Sequence, residues 1–148
     1  MLKMSARVIR DRSDLALRRY NDSARRGIDK AGKHLLSQLK RGYTNYYTSQ
    51  NFRNTIFIRD NLTAATPEKQ PKGWYTLVGV PRAFVVPRGQ NRVVDRGMVA
   101  LAWERGHTNE FNPKGVGHKP IAVPTAIKSV QKMIDIFGRT VKRTMESK

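Results

Sequence analysis

The sequence predicts an α+β fold, a small antiparallel β-sheet packed by a long N-terminal helix and a C-terminal helix. Three observations carry it. Between Ser13 and Arg41 the apolar residues Leu17, Tyr20, Ala24, Ile28, Ala31, Leu35 and Leu39 recur at steps of three and four, the period of one helix face. From Pro124 onward Ile127, Val130, Ile134, Phe137, Val141 and Met145 repeat at the same spacing. Between them lie short runs of β-branched and aromatic residues punctuated by proline and glycine, the composition of short strands and turns.

The chain of 148 residues is sized for one domain, 1–148, and its 39% apolar residues support a modest core. Residues 1–12 read as an N-terminal arm. For the first helix, Ser13 or Asp14 supplies an N-cap, Lys40 and Arg41 suit the negative end of the helix dipole, and Gly42 offers a left-handed stop. Phe52–Arg59, with Ile56 and Ile58 alternating against Thr55, Phe57 and Arg59, reads as a strand. Gly73–Pro81 reads as a second strand, antiparallel to it across a connection holding Pro67 and Pro71.

Residues 82–97 mix Val85, Val86, Val93 and Val94 with Arg82, Arg88, Arg92 and Arg96, a pattern open between a β-ribbon arm and a mobile loop. Met98–Gly106 is a strand or a helical turn halted by glycine. Residues 107–119, with Pro113, Gly115 and Gly117, have the composition of a long loop, expected to be mobile in an isolated subunit. Phe111 is its one large apolar side chain and a natural anchor for a neighbouring subunit. The expected core is Leu35, Leu39, Ile56, Ile58, Leu77, Ile134 and Phe137.

The chemical inventory points away from an enzyme. No cysteine is present, which excludes disulfides and thiol nucleophiles and fits a reducing compartment. His34, His107 and His118 are far apart in sequence and lack the carboxylate partners of a metal site or a general base, so no catalytic residue, metal or cofactor is assigned. No phosphate-binding glycine loop occurs, so nucleotide binding has no support, and no small-molecule partner is expected. No apolar run approaches a membrane span and the first residues lack a secretory apolar stretch, so a cytoplasmic site of synthesis is expected and no membrane partner. Glu104, after an apolar segment and two residues before Gly106, is either a buried carboxylate that orders the loop or pairs across subunits, or a surface charge.

The formal net charge is +18, distributed as +8 over residues 1–41, +4 over 42–110 and +6 over 111–148. A dispersed excess attracts any polyanion or acidic protein surface without naming one. The polar face of the first helix, Arg18, Arg19, Arg25, Arg26, Lys30 and Lys33, is either a solvated flank or a polyanion-facing surface. Tyr43, Tyr46, Tyr47 and Phe52 near Lys40, Arg41 and Arg53 offer the mixture used in single-strand binding, and equally a lid on the core.

Three segments, in order, resemble one family, the phage tail-completion or neck proteins that join head to tail. Ser49-Gln50-Asn51-Phe52-Arg53-Asn54-Thr55-Ile56 is similar to that family's turn into its first strand, without its glycine; Trp103-Glu104-Arg105-Gly106-His107 is similar to its Glu-x-Gly-Thr segment; Pro120-Ile121-Ala122-Val123-Pro124-Thr125 is similar to its lead into the last helix. The resemblance implies a structural, non-enzymatic virion protein, assembled in the host cytoplasm as a homo-oligomeric ring, hexameric in the family, around the DNA channel. Its implied partners are the head connector or adaptor, the tail-tube or terminator proteins, and packaged DNA passing the lumen without base readout. A ring needs contacts between two different patches of each subunit, and the candidates are Glu104, Gly106, His107 and Phe111 with Arg88, Arg92 and Arg96. The alternative from the residues is a basic nucleic-acid-binding protein, ribosome- or nucleoid-associated.

Overall fold

The computed structural model describes residues 6–50, 53–87, 89, 91–109, 112–116 and 120–147. The class is the one expected, α+β with small antiparallel sheets and long N- and C-terminal helices. Helix α1 spans Ala6–Gln50 and α4 spans Ala122–Glu146, 45 and 25 residues long. At 1.5 Å per residue they measure about 67 and about 37 Å. Helix α2 is Arg53–Asn61 and α3 is Arg96–Arg105. The eight short strands are β1 Thr63–Ala64, β2 Glu68–Gln70, β3 Gly73–Tyr75, β4 Val78–Gly79, β5 Phe84–Val85, β6 Val94–Asp95, β7 His107–Asn109 and β8 Asn112–Val116. Among the described residues they form four separate two-stranded antiparallel pieces, β1–β4, β2–β3, β5–β6 and β7–β8, where one sheet was expected.

Helix α1 starts at Ala6, inside the segment read as an arm, and runs through Gly42 instead of stopping there. Gly42 is placed for close approach: a Cβ on it would stand 3.1 Å from Ile121 Cγ2 and 3.3 Å from Thr125 Oγ1 of α4. Gly27 takes the Phe137 ring the same way, with a virtual Cβ 2.6 Å from Cδ2, and Gly32 takes Thr76 Cγ2 at 2.8 Å. Since Gly27 meets Phe137 and Gly42 meets the start of α4, the two helices run antiparallel. Their seam is built from small residues. Ser23, Ala24 and Ala31 of α1 and Ser129 and Thr140 of α4 are buried, and the hydroxyls satisfy themselves within their own helices. Ser23 Oγ donates to Tyr20 O, Ser129 Oγ to Thr125 O and Thr140 Oγ1 to Ile136 O, each at 2.8 Å.

The segment expected as the first strand is helix α2. Thr55, Ile58 and Leu62 are buried at a spacing of three and four, which is a helix face, and the short Ile56/Ile58 alternation is incidental. Gly73–Pro81 does supply strands, but β3 pairs with β2 and β4 with β1. The 82–97 segment is a β-ribbon, Phe84 opposite Asp95 and Val85 opposite Val94. Asp95 closes the ribbon and caps α3, accepting from the Gly97 and Met98 amides at 3.0 and 3.4 Å and from Arg82 Nε at 2.9 Å. Burial alone would raise its carboxyl; the Arg82 and amide hydrogen bonds outweigh that and hold it below the usual carboxylate range. Residues 107–116, expected as loop, contain the β7–β8 hairpin, and Phe111 lies outside the described residues.

The core is Leu39, Tyr43, Ile58, Leu62, Trp103 and Ile121, where α1, α2, α3 and the start of α4 converge. Of the expected core, Leu39 and Ile58 are buried and Leu35 packs against the cluster; Ile56 and Phe137 are half-buried. Leu77 and Ile134 are exposed, at 69% and 57%. Leu77 lies in the link between β3 and β4, where its carbonyl accepts from the Ala65 amide at 2.8 Å and its side chain stays in solvent. Ile134 lies on the side of α4 away from the small-residue seam.

Two glycine substitutions separate packing from helix propensity. Gly138→Ala, in the exposed middle of α4 with nothing within 4 Å of its virtual Cβ, should stabilise by about 0.5–1 kcal/mol. Gly27→Ala should destabilise, because the Phe137 ring must move; a denaturation midpoint raised to the level of Gly138→Ala would contradict the seam.

Candidate functional site

What positions α4 is a carboxylate on another helix. Ile121, its N-cap residue, has no capping side chain of its own. Glu104, next to last in α3, fills that role: both its oxygens accept from the Ile121 amide at 3.0 Å, and Oε1 also accepts from the Ala122 amide at 3.0 Å. The negative charge sits at the positive end of the α4 dipole. Tyr43 Oη of α1 donates to the same Oε1 at 2.6 Å. Burial first, then this hydrogen bond and the adjacent charge, push the Tyr43 phenol well above its ordinary value of 10.0. Beside it, Tyr46 meets Trp103 edge to face, ring centroids 5.8 Å apart at 87°.

With α4 fixed by its start and by the seam, Phe137 packs over Gly27 while the aliphatic side chains of one flank stay open. Val123, Ile127, Val130 and Ile134 are 62, 67, 46 and 57% exposed. Ile127, Val130, Ile134, Phe137 and Val141 follow alternating steps of three and four, the seam spacing of helices that pack in pairs. The stripe runs on into an apolar groove of about 470 Å³ lined by Ile28, Leu35, Trp74, Val78, Ile134 and Phe137, where the buried Trp74 Nε1 finds no acceptor among the described residues. A second apolar surface lies at the other end. If the register set by Gly27 opposite Phe137 is continued, α4 ends about level with Arg18; every residue from Ser13 to Tyr20 is exposed, and Leu17 and Tyr20, on one helix face, stand open at 59 and 52%.

The proposed contact residues are placed as follows. Glu104 works inside the subunit, as does Arg96, whose Nε donates to Pro81 O at 3.0 Å and Nη1 to Asn61 Oδ1 at 3.4 Å. Gly106 ends α3 at φ 74°, a conformation that favours glycine. Arg92 is exposed near the tip of the β5–β6 ribbon. His107 opens β7, its side chain outside the described residues, as are Arg88 and Phe111. Arg18, Arg19, Arg25, Arg26, Lys30 and Lys33 are all exposed along α1, with Lys33 paired to Asp29 at 2.7 Å. Of the aromatic set, Tyr43 is buried at 2% exposure and Tyr46 packs against the core; Phe52 and the Tyr47 side chain lie outside the described residues. Sequence reasoning missed that the face from Ile127 to Ile134 is uncovered.

Among the described residues no group of three or more His, Asp or Glu side chains is placed to hold a metal ion, and no helix is long and apolar enough to cross a membrane. Comparison with models of known families, with curated proteins and with solved structures gives no match.

Glu104→Ala should cost about 2–4 kcal/mol, because the Tyr43 hydroxyl and two helix amides lose their acceptor together; a change below about 0.5 kcal/mol in urea titration would show that α4 is held otherwise. Tyr43 also sets an alkaline limit. Its folded phenol keeps its proton where an unfolded one ionises near 10.0, so above that pH the unfolded chain binds fewer protons and stability falls. The contribution is complete below pH 10 and fades above it. Between about pH 9 and about pH 11, Tyr43→Phe should therefore show a shallower loss of stability than the wild type.

Proposed function

We propose that the chain is a non-enzymatic structural subunit that assembles with copies of itself into a ring, in the role of a head-to-tail joining protein of the phage neck. The observation that carries this reading is the uncovered apolar stripe of α4, Val123, Ile127, Val130 and Ile134, held in place by an internal carboxylate and turned away from the subunit's own core. The occupant is the end of α1 from the next copy, which brings Leu17 and Tyr20, three residues apart on one helix face. One patch lies on the body and the other on a projecting helix, so the contact is head-to-tail and closes into a ring when the rotation permits. Covering the exposed parts of these four aliphatic side chains is worth roughly 3–7 kcal/mol, at the lower end of what association costs. The α1 side chains and the adjoining groove add to that.

The ring encloses the channel for DNA, and head connector and tail proteins meet its two faces. The resemblance in order of the Glu104 segment and of Pro120–Thr125 supports this role, and Glu104 joins those two segments physically. A net charge of +18 on every copy opposes assembly. Rings should accordingly become more abundant as salt rises from about 0.05 to about 0.5 M.

Negative-stain imaging and sedimentation test the contact. Wild-type protein should form rings with a central channel, and Leu17→Asp and Ile127→Asp should each be monomeric with unchanged circular dichroism. Mixed, the two variants should give a dimer and nothing larger, because one intact contact remains between them. A wild type that stays monomeric at every concentration, or variants that still form rings, would overturn the reading.

A further inference from the structure

The opposite flank of the α1–α4 pair carries a cleft of different character. It is open, about 500 Å³ in volume, and lined by His34, Gln38, Arg41 and Asn45 from α1 and by Lys128 and Lys132 from α4. These positions follow helix spacing on both sides, so the side chains converge from two antiparallel helices on one channel. No carboxylate lines it. Among the described residues Arg41, Lys128 and Lys132 make no ion pair, unlike Lys33, Arg59, Arg82 and Lys142, each of which has an acidic partner. The nearest acidic group of the α4 start, Glu104, is engaged by Tyr43 and the helix amides.

Three exposed, unpaired cations facing one trough repel one another, and a bound anion relieves that repulsion. The neutral lining, Gln38 and Asn45, adds side-chain amide donors. Arg41 offers a planar fork and the two lysines, one helical turn apart on α4, offer point charges, the donor set that recognises phosphate oxygens.

We infer that the Arg41–Lys128–Lys132 cleft is a binding site for phosphate-type oxyanions, with a nucleic-acid backbone or a free phosphate as the two sources of that chemistry. The open trough, running along the helix pair instead of closing into a pocket, fits a chain of phosphates passing through it. The site is distinct from the six α1 residues read from sequence as polyanion-facing. It also does not depend on ring formation: Lys128 and Lys132 stand about 150° round α4 from the apolar stripe.

The test separates this cleft from the general attraction of a +18 protein. Fluorescence anisotropy with a labelled duplex of about 25 base pairs is measured across salt for the wild type, for the triple variant Arg41→Ala/Lys128→Ala/Lys132→Ala, and for a control of equal charge change, Arg25→Ala/Arg26→Ala/Lys30→Ala. The cleft variant should bind at least about tenfold more weakly, with a salt slope reduced by about 2 to 3, and the control should lose less than about threefold. The same measurement on the Ile127→Asp background should give the same ratio, so a failure of assembly leaves this result readable. Pyrophosphate, followed by chemical-shift changes at His34, distinguishes the sources: saturation by it at micromolar levels with no duplex binding identifies a free phosphate, and duplex binding that pyrophosphate displaces only at millimolar levels identifies the backbone. Equal losses in the two triple variants, no binding in either arm, or tenfold preference for an acidic peptide over DNA at equal charge would overturn the site.

Discussion

The Glu104 carboxylate is the constraint from which the rest of the arrangement follows. One side chain at the end of α3 accepts hydrogen bonds from a buried phenol of α1 and from the first two amides of α4. Helix starts leave four amides without partners, and here the remedy is supplied from another element, so the cap is also a tether. It joins three helices through a group that water would otherwise solvate. Around it Leu39, Ile58, Leu62, Trp103 and Ile121 close the core. Strands β1, β3 and β4 then pack along α1, and among the described residues no continuous sheet forms.

The tether sets the rotation of α4 about its own axis, and that rotation decides what the subunit leaves open. Thr125 and Ser129 lie at the Gly42 end of the seam, and Thr140 lies at the end that holds Ser23, Ala24 and Gly27. A seam of small residues allows close approach but buries little apolar surface, and its hydroxyls gain only by bonding carbonyls one turn back. A helix whose largest aliphatic side chains point outward is poorly stabilised by its own domain. Such a helix is consistent with a subunit whose packing is completed by another copy.

The long elements were legible in the sequence because 3.6-residue periodicity over 25 or more residues has few competing explanations. The class and both terminal helices follow from it, as does Pro124 in the first turn of α4. What misled was short or ambiguous signal. Ile56 and Ile58 alternate over too few residues to distinguish a strand from a helix, and Thr55, buried and polar, hid the helical face. Gly42 carries the same letter whether it ends a helix or lets one cross it, and only the position of Ile121 decides. The α4 stripe was visible as a pattern, yet an apolar face in sequence does not say whose side chains cover it. Glu104 was legible as an unusual acid, but its partners are 61 and 17 residues away.

The two flanks of the helix pair answer to opposite physical demands, and their separation resolves a conflict within one small protein. A subunit bearing +18 resists packing against its own copies, and the cost is greatest if unpaired cations are brought into the contact. On α4 the stripe holds aliphatic side chains, while Lys128 and Lys132 are carried round to the α1 cleft with Arg41. An assembly made through the stripe therefore leaves the cleft solvated and collects one cationic trough per copy. In the proposed assembly, cationic troughs on neighbouring copies would repel one another, a cost that falls as salt screens it.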